Sequence, residues 1–366
     1  MNKKAYSIYT VVAAAALIFV LSAACLLSPE KDFSESERRN LAKFPEFSAE
    51  TLLSGKFMEG FEDYSLDQFP LRDSFRRIKA FAQYNLFNFK DNNGIYVADG
   101  YAAKLVYPLN ETSVLDAAAK FGELYDSYFA NSRNKIVVSI VPDKGYFLSE
   151  ANGYPSMDYE RLEKLLTENM PYAEYCKITD ALSINDYYRT DTHWRQEKLL
   201  PTAKKIAAAL GVELNGHYAE NEAGIDFYGV YYGQSALPLS SDRISYVTGD
   251  AISGAVVYNA ETGLTGGVYD FGKLRSRDPY EFFLSGAAAV LTIENPLAEE
   301  EKELVIFRDS FGSAMAPYLI EGYSKITLVD TRYIAPSLLG DYVDFSDCDV
   351  LFLYSTLVLN ESNVLK

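Results

Sequence analysis

His193 and His217 are the two imidazoles in a chain of 366 residues, so a reaction needing a base near neutral pH has two places to run. His193 lies in Thr190-Asp191-Thr192-His193-Trp194, with a carboxylate two residues before it and the single tryptophan directly after. A histidine base needs a carboxylate to hold its tautomer and stabilise the imidazolium that forms. Residues two apart do not share a helix face, so Asp191 and His193 can meet only on a turn. His217, in Leu214-Asn215-Gly216-His217-Tyr218, has no close preceding acid and reads as a loop residue. The matching nucleophile is Ser310. It sits in Leu304-Val305-Ile306-Phe307-Arg308-Asp309-Ser310-Phe311-Gly312, an apolar strand running into a turn with a helix expected after it. Functional residues of open α/β sheets collect at the carboxyl ends of strands, and N–H groups opening a helix can face an oxyanion. Such a set could perform acyl transfer through a serine nucleophile. Taken alone, the Ser310 segment equally suits a helix cap by Asp309 or Ser310.

The elements that must position these residues follow from periodicity. Ser48 to Phe89 shows helical spacing with many aromatics, broken into two helices at Pro70. Gly94 to Gly100 has strand-and-turn chemistry, and a helix is expected from about Asn110 to Asn131. Lys135 to Val141 is a β-branched run, the mark of a strand buried on both faces. Similar runs recur at 175–179, 304–307, 326–329 and 350–354, with helices expected over 199–210 and 313–322. Strands alternating with helices predict an α/β core with a largely parallel sheet. From about 211 to 296, Gly, Tyr, Ser and Thr dominate and short strands such as 254–258 alternate with turns, which reads as a β-rich insertion.

Composition narrows the function class. Lys+Arg is 34 and Asp+Glu is 51, a net charge of −17. So acidic a chain repels phosphate backbones, which excludes a general nucleic-acid binder. Hydrophobic residues at 48% rule out extended disorder. Tyr (29) and Phe (22) supply core and half-buried sheet, or a carbohydrate-stacking surface. Lys3 and Lys4 precede an uncharged apolar run from about Tyr6 to Leu27, long enough to cross a bilayer. The positive flank keeps the N-terminus cytoplasmic and exports the remainder. This predicts a single-pass membrane anchor with the working part extracytoplasmic. The alternatives are secretion after signal cleavage near Ser22-Ala23-Ala24, or a lipoprotein acylated at Cys25. Cys176 and Cys348 lie in apolar stretches and suit buried thiols or a disulfide, and no Cys-x-x-Cys pattern supports a structural zinc.

The motifs together resemble a family. Asp191-Thr192-His193-Trp194 followed by Arg308-Asp309-Ser310-Phe311-Gly312 resembles the DHHW family of secreted bacterial proteins and the alginate O-acetylation proteins of the SGNH hydrolase superfamily. Phe69-Pro70-Leu71-Arg72-Asp73, Val141-Pro142-Asp143-Lys144, Asp278-Pro279-Tyr280 through Gly286, and Asp330-Thr331-Arg332-Tyr333 resemble family segments in family order, over roughly residues 60 to 355. The resemblance implies an SGNH-hydrolase-like α/β sandwich at 94–366 with a mostly parallel central sheet and the β-rich insertion. Ahead of it would lie a membrane helix at 1–28 and a linker with helices at 29–93. It implies Ser310 as nucleophile, His193 as base and Asp191 as orienting acid, with backbone N–H groups of Ser310 and Gly286 for the oxyanion. Trp194, Lys144, Tyr280, Arg308 and Arg332 are then candidates for substrate binding. Neither metal nor cofactor is called for.

Two positions depart from the pattern. Thr192 stands where the name motif has a second histidine, as in the alginate branch. Ala287 follows Phe283-Leu284-Ser285-Gly286 where relatives often carry an asparagine; losing one oxyanion donor costs on the order of 10²–10³ in rate. The expected function is an O-acetyltransferase or acetylesterase acting on a cell-surface or secreted glycan. A transferase would need a multi-pass membrane partner to deliver acetyl groups. The alternative is a catalytically weak glycan-binding or scaffold subunit of an envelope assembly.

Overall fold

The computed structural model describes residues 3–34, 36–87, 89–130, 132 and 134–366. They divide into two compact units, Met1–Asn93 with Gly233–Pro238, and Gly94–Tyr232 with Leu239–Lys366.

The first unit opens with helix α1 (Lys3–Leu27). Its span Ala5–Cys25 is, among the described residues, the one helix long and apolar enough to cross a membrane, and none of that span is buried. Shorter helices follow at α2 (Ala49–Leu53), α3 (Lys56–Asp67) and α4 (Arg72–Asn85). The last two are separated at Pro70, as the sequence predicts, because proline has no N–H to continue a helix and disfavours helical geometry in the residue before it.

The second unit is built on an eight-stranded sheet. Its strands in chain order are β1 (Ile136–Val141), β2 (Glu174–Tyr175), β3 (Val256–Asn259), β4 (Thr265–Gly266), β5 (Val290–Glu294), β6 (Glu303–Arg308), β7 (Lys325–Val329) and β8 (Cys348–Ser355). The spatial order is β4-β3-β5-β7-β6-β8-β1-β2. From β7 to β2 all neighbours run parallel, while β5, β3 and β4 pair antiparallel at one edge. The segment read as an insertion therefore contributes β3, β4 and β5 to the central sheet, and a separate antiparallel hairpin of Ala219–Phe227 with Asp242–Thr248.

Alternation along the strands assigns the layers. Leu304, Ile306, Leu351 and Leu353 face one core, shared with helix α7 (Leu200–Leu210) and helix α8 (Gly312–Leu319). Val305, Phe307, Val350 and Phe352 face the other, against α5 (Glu111–Tyr128) and α6 (Tyr159–Glu168). A strand covered on both faces has no polar side, which is why these segments read as continuous apolar runs. Helix α5 starts where Asn110 accepts the Ser113 N–H and ends at Tyr128, three residues short of Asn131, which lies outside the described residues. The strand expected over 175–179 is limited to Glu174–Tyr175; residues 176–178 are irregular and a 3₁₀ turn begins at Thr179. Cys176 and Cys348 are free thiols buried in opposite cores, so the sheet separates them and no disulfide forms.

Candidate active site

Strand β6 ends at Arg308, and the next residue makes the turn. Asp309 Oδ1 accepts the Phe311 N–H at 3.0 Å, and its Oδ2 accepts the Ser355 N–H at 2.8 Å from the end of β8. Asp309 is thus a fully buried carboxylate closing the turn that presents Ser310. Helix α8 folds back over the strand end at Gly312, where an added Cβ would lie 2.7 Å from the Arg308 Cβ. Only glycine permits that approach.

The histidine segment is irregular and pinned from several sides. The Arg189 and Thr190 N–H groups and the Thr190 hydroxyl all donate to Asp242 at 2.6 to 2.9 Å. The Trp194 indole N–H donates to the Phe311 carbonyl at 3.0 Å, and the Gln196 amide to the Ala314 carbonyl at 3.1 Å. Those two bonds tie the histidine segment to the start of α8, across 117 and 118 residues of sequence.

The result is a line of three side chains. His193 Nε2 lies 2.8 Å from Ser310 Oγ. His193 Nδ1 lies 2.6 Å from Asp191 Oδ1, which also accepts the His193 backbone N–H at 3.0 Å. Asp191 Oδ2 accepts the Val230 N–H at 2.8 Å. With a carboxylate on one side, Nδ1 carries a proton, which leaves the Nε2 lone pair facing the serine. Asp191 and His193 are buried, whereas Ser310 keeps partial access to solvent. The Tyr280 ring stacks on His193 with centroids 3.8 Å apart and planes 6° from parallel. Gly229 allows the Asp191 backbone to pass, since a Cβ there would sit 2.2 Å from the Asp191 Cβ.

The other predicted positions divide. Among the described residues no acceptor engages the Ser310 N–H, whereas the Gly286 N–H donates to the Phe283 carbonyl at 3.3 Å. Trp194 and Tyr280 are buried, one bonded to Phe311 and the other stacked on His193. Lys144 is buried, with its ammonium on the Tyr188 and Arg189 carbonyls at 2.9 and 3.2 Å, and burial pulls its pKa down to about 7. Arg308 is buried 3.8 Å from Asp330, and burial lowers its pKa. Arg332 grips Asp330 through two N–H groups at 2.6 and 2.8 Å. Thr192 accepts the Tyr231 hydroxyl at 3.0 Å. His217 stands away from the set, on the rim of a different cleft beside Glu321.

Sequence reasoning missed Asp242, Gly229 and Val230, which hold Asp191 in place from 38 to 51 residues away along the chain. Gly229 directly after Phe227-Tyr228 was the one visible hint, and many glycines share such a setting.

The DHHW protein family model matches residues 174–329. That span holds Asp191, His193, Tyr280, Gly286 and Ser310, and it bears out the DHHW resemblance read from the motifs. A DHHW family protein from Eubacterium siraeum superposes with a TM-score of 0.58 at 20% identity, covering 75% of this chain and 94% of that one. Bacillus cereus PatB1, solved with a sulfonyl adduct, gives 0.56 at 16% identity, covering 74% and 96%. At such identities the likeness concerns the fold, and it agrees with the α/β architecture expected from the DHHW motifs. No curated protein matches the chain in sequence.

Proposed function

We propose that this chain is an extracytoplasmic acyl-ester enzyme, an O-acetyltransferase or acetylesterase of a cell-surface or secreted polysaccharide, anchored by α1. The observation that carries the reading is the line Ser310 Oγ, His193 Nε2, His193 Nδ1, Asp191 Oδ1, with steps of 2.8 and 2.6 Å. In the first half-reaction Ser310 Oγ bonds to the acetyl carbonyl carbon while its proton moves to His193 Nε2. Asp191 stabilises the imidazolium so formed. The tetrahedral oxyanion is met by the free Ser310 N–H, the alcohol leaves with the proton from His193, and acetyl-Ser310 remains. A sugar hydroxyl or water then gives its proton to His193 and attacks, restoring the serine. Tyr280 covers one face of the imidazole and excludes water from it. Trp194, Lys144, Tyr280 and Arg308 serve on this reading as the frame of the site, leaving Arg332 as the substrate-binding candidate nearest solvent. A transferase would take its acetyl groups from a multi-pass membrane partner.

PatB1 carries a sulfonyl adduct, and electrophiles of that class suggest the test. The full chain in detergent is treated with a fluorophosphonate probe, the adduct is mapped by mass spectrometry, and hydrolysis of an activated acetate ester is followed. Labelling at Ser310 and ester turnover are both expected, and both vanish in Ser310→Ala. A folded protein with neither would favour the second reading, a glycan-binding subunit of an envelope assembly. Ala287 and the engaged Gly286 N–H favour that second reading, because they leave the oxyanion with one donor where such sites commonly use more.

A further inference from the structure

A cleft of about 460 Å³ opens at the carboxyl ends of β1 and β8, within the size range of small-molecule sites. Strand register places it on the same rim as the serine. Arg308 pairs with Leu353 across β6 and β8, and Ser355 pairs with Val141 across β8 and β1. Ser310, Thr356 and Pro142 therefore follow one another along the sheet edge, and the last two line the cleft. Neighbouring strands lie about 4.8 Å apart, so Thr356 stands on the strand next to the serine turn, and the cleft opens on the α6 side of that shared edge.

Its walls are aromatic and acidic. Tyr146 is 40% exposed and stands edge-on to Tyr159, with centroids 5.1 Å apart at 82°. Tyr175 adds a third tyrosine to the lining. Glu150, Asp158 and Glu160 are exposed on the rim, and the lining cation, Lys177, is held by Glu163 at 2.9 Å. The back wall is rigid. The buried carboxylate of Asp143 accepts the Tyr159 hydroxyl at 3.1 Å, the Thr356 hydroxyl at 2.7 Å and the Gly145 N–H at 2.6 Å. Thr356 follows Ser355, whose N–H holds Asp309 beside the serine. Cleft and serine turn thus share one hydrogen-bonded frame.

We infer that this cleft is a subsite for a further sugar of the glycan acylated at Ser310, selective for neutral or amine-bearing sugars over uronates. The inference rests on the function proposed above. Tyrosine faces carry partial negative charge that suits the C–H face of a pyranose. Rim carboxylates accept hydroxyl protons and attract an ammonium group, whereas a sugar carboxylate meets like charge, the lining Lys177 being already paired with Glu163.

The test measures binding of three probes to the full chain in detergent: the tetramers of N-acetylglucosamine, glucosamine and galacturonate. The first two should bind, with galacturonate at least about tenfold weaker, a difference of 1.4 kcal/mol. Tyr146→Ala should weaken both by about tenfold. Glu160→Gln should weaken the glucosamine tetramer about threefold more than its N-acetylated counterpart, and this margin should close in high salt. Both variants should keep fluorophosphonate labelling at Ser310. Equal binding of galacturonate, no binding of any probe, unchanged binding in Tyr146→Ala, or equal competition by tetralysine would each overturn the subsite. Selective binding with an unreactive Ser310 would instead overturn the enzyme reading and leave the subsite standing.

Discussion

Asp191→Asn separates a working triad from a merely well-packed one. The N–H groups pointing at the Asp191 carboxylate include the His193 backbone and Nδ1 at Oδ1, and the Val230 N–H at Oδ2. An amide has one acceptor oxygen and one NH₂, so asparagine can satisfy only one side. If its oxygen faces Val230, the NH₂ faces Nδ1, the imidazole proton moves to Nε2, and the base facing Ser310 is lost. If its oxygen faces His193, the NH₂ opposes the Val230 N–H, and two donors meet in the interior at a cost of about 1–3 kcal/mol. In the first arrangement the NH₂ also faces the His193 backbone N–H, so either arrangement leaves one pair of buried donors opposed, and each gives up the base or the carboxylate charge that serves it. The expected fall in kcat for ester hydrolysis is on the order of 10³–10⁴, or about 4–5.5 kcal/mol at 1.36 kcal/mol per decade. Melting temperature should fall by the equivalent of about 1–3 kcal/mol, since one buried N–H loses its acceptor in either orientation. The assay pairs hydrolysis of an activated acetate ester with the rate of fluorophosphonate labelling, because both need the same base. Retention of activity within tenfold of the parent, in a folded variant, would refute the assignment of Asp191 as the orienting acid.

Three further predictions are independent of that one. Tyr280 has a buried hydroxyl without a hydrogen-bond partner among the described residues, so Tyr280→Phe should be neutral or stabilising in denaturant unfolding. Tyr280→Ala, which removes the ring stacked on His193, should cost about 3–5 kcal/mol. Gly229→Ala places a methyl group 2.2 Å from the Asp191 Cβ and should lower ester turnover by about 10² or more while Ser310→Ala remains the inactive floor. Burial holds the Lys144 pKa near 7, below its ordinary value of 10.5. Between those two pH values the unfolded chain binds more protons than the native one, so stability should rise with pH at up to about 1.4 kcal/mol per unit. Stability curves of the parent and of Lys144→Met should diverge in that window, and parallel curves would show that the lysine stays charged in the fold.

Much of the core was readable along the chain. The runs at 136–141, 304–307, 326–329 and 350–354 emerge as strands because a parallel strand covered on both faces must be apolar at every position, a local property. The helix break at Pro70 and the cap at Asn110 are local for the same reason. The acid–histidine pair was legible because two residues on one turn are close by covalent connection. The eight-stranded order was not, since pairing β5 beside β7 or β1 beside β8 depends on which edges meet once the layers pack. That the β-rich segment 211–296 extends one edge of the central sheet was hidden on the same grounds, its three sheet strands being short and edge-like.

What the sequence determined by itself was a set of residue types able to perform serine acyl transfer, an α/β class and an apolar N-terminal helix. What only the tertiary structure decided is that a sequence separation of 117 closes until His193 and Ser310 stand 2.8 Å apart. Contacts such as Asp242 on Thr190, Trp194 on Phe311 and Gly229 against Asp191 bring this about. None of these pairs has a spacing that local chemistry could announce. Their energies come from burying groups from distant strands together, and that burial exists only once the sheet is assembled.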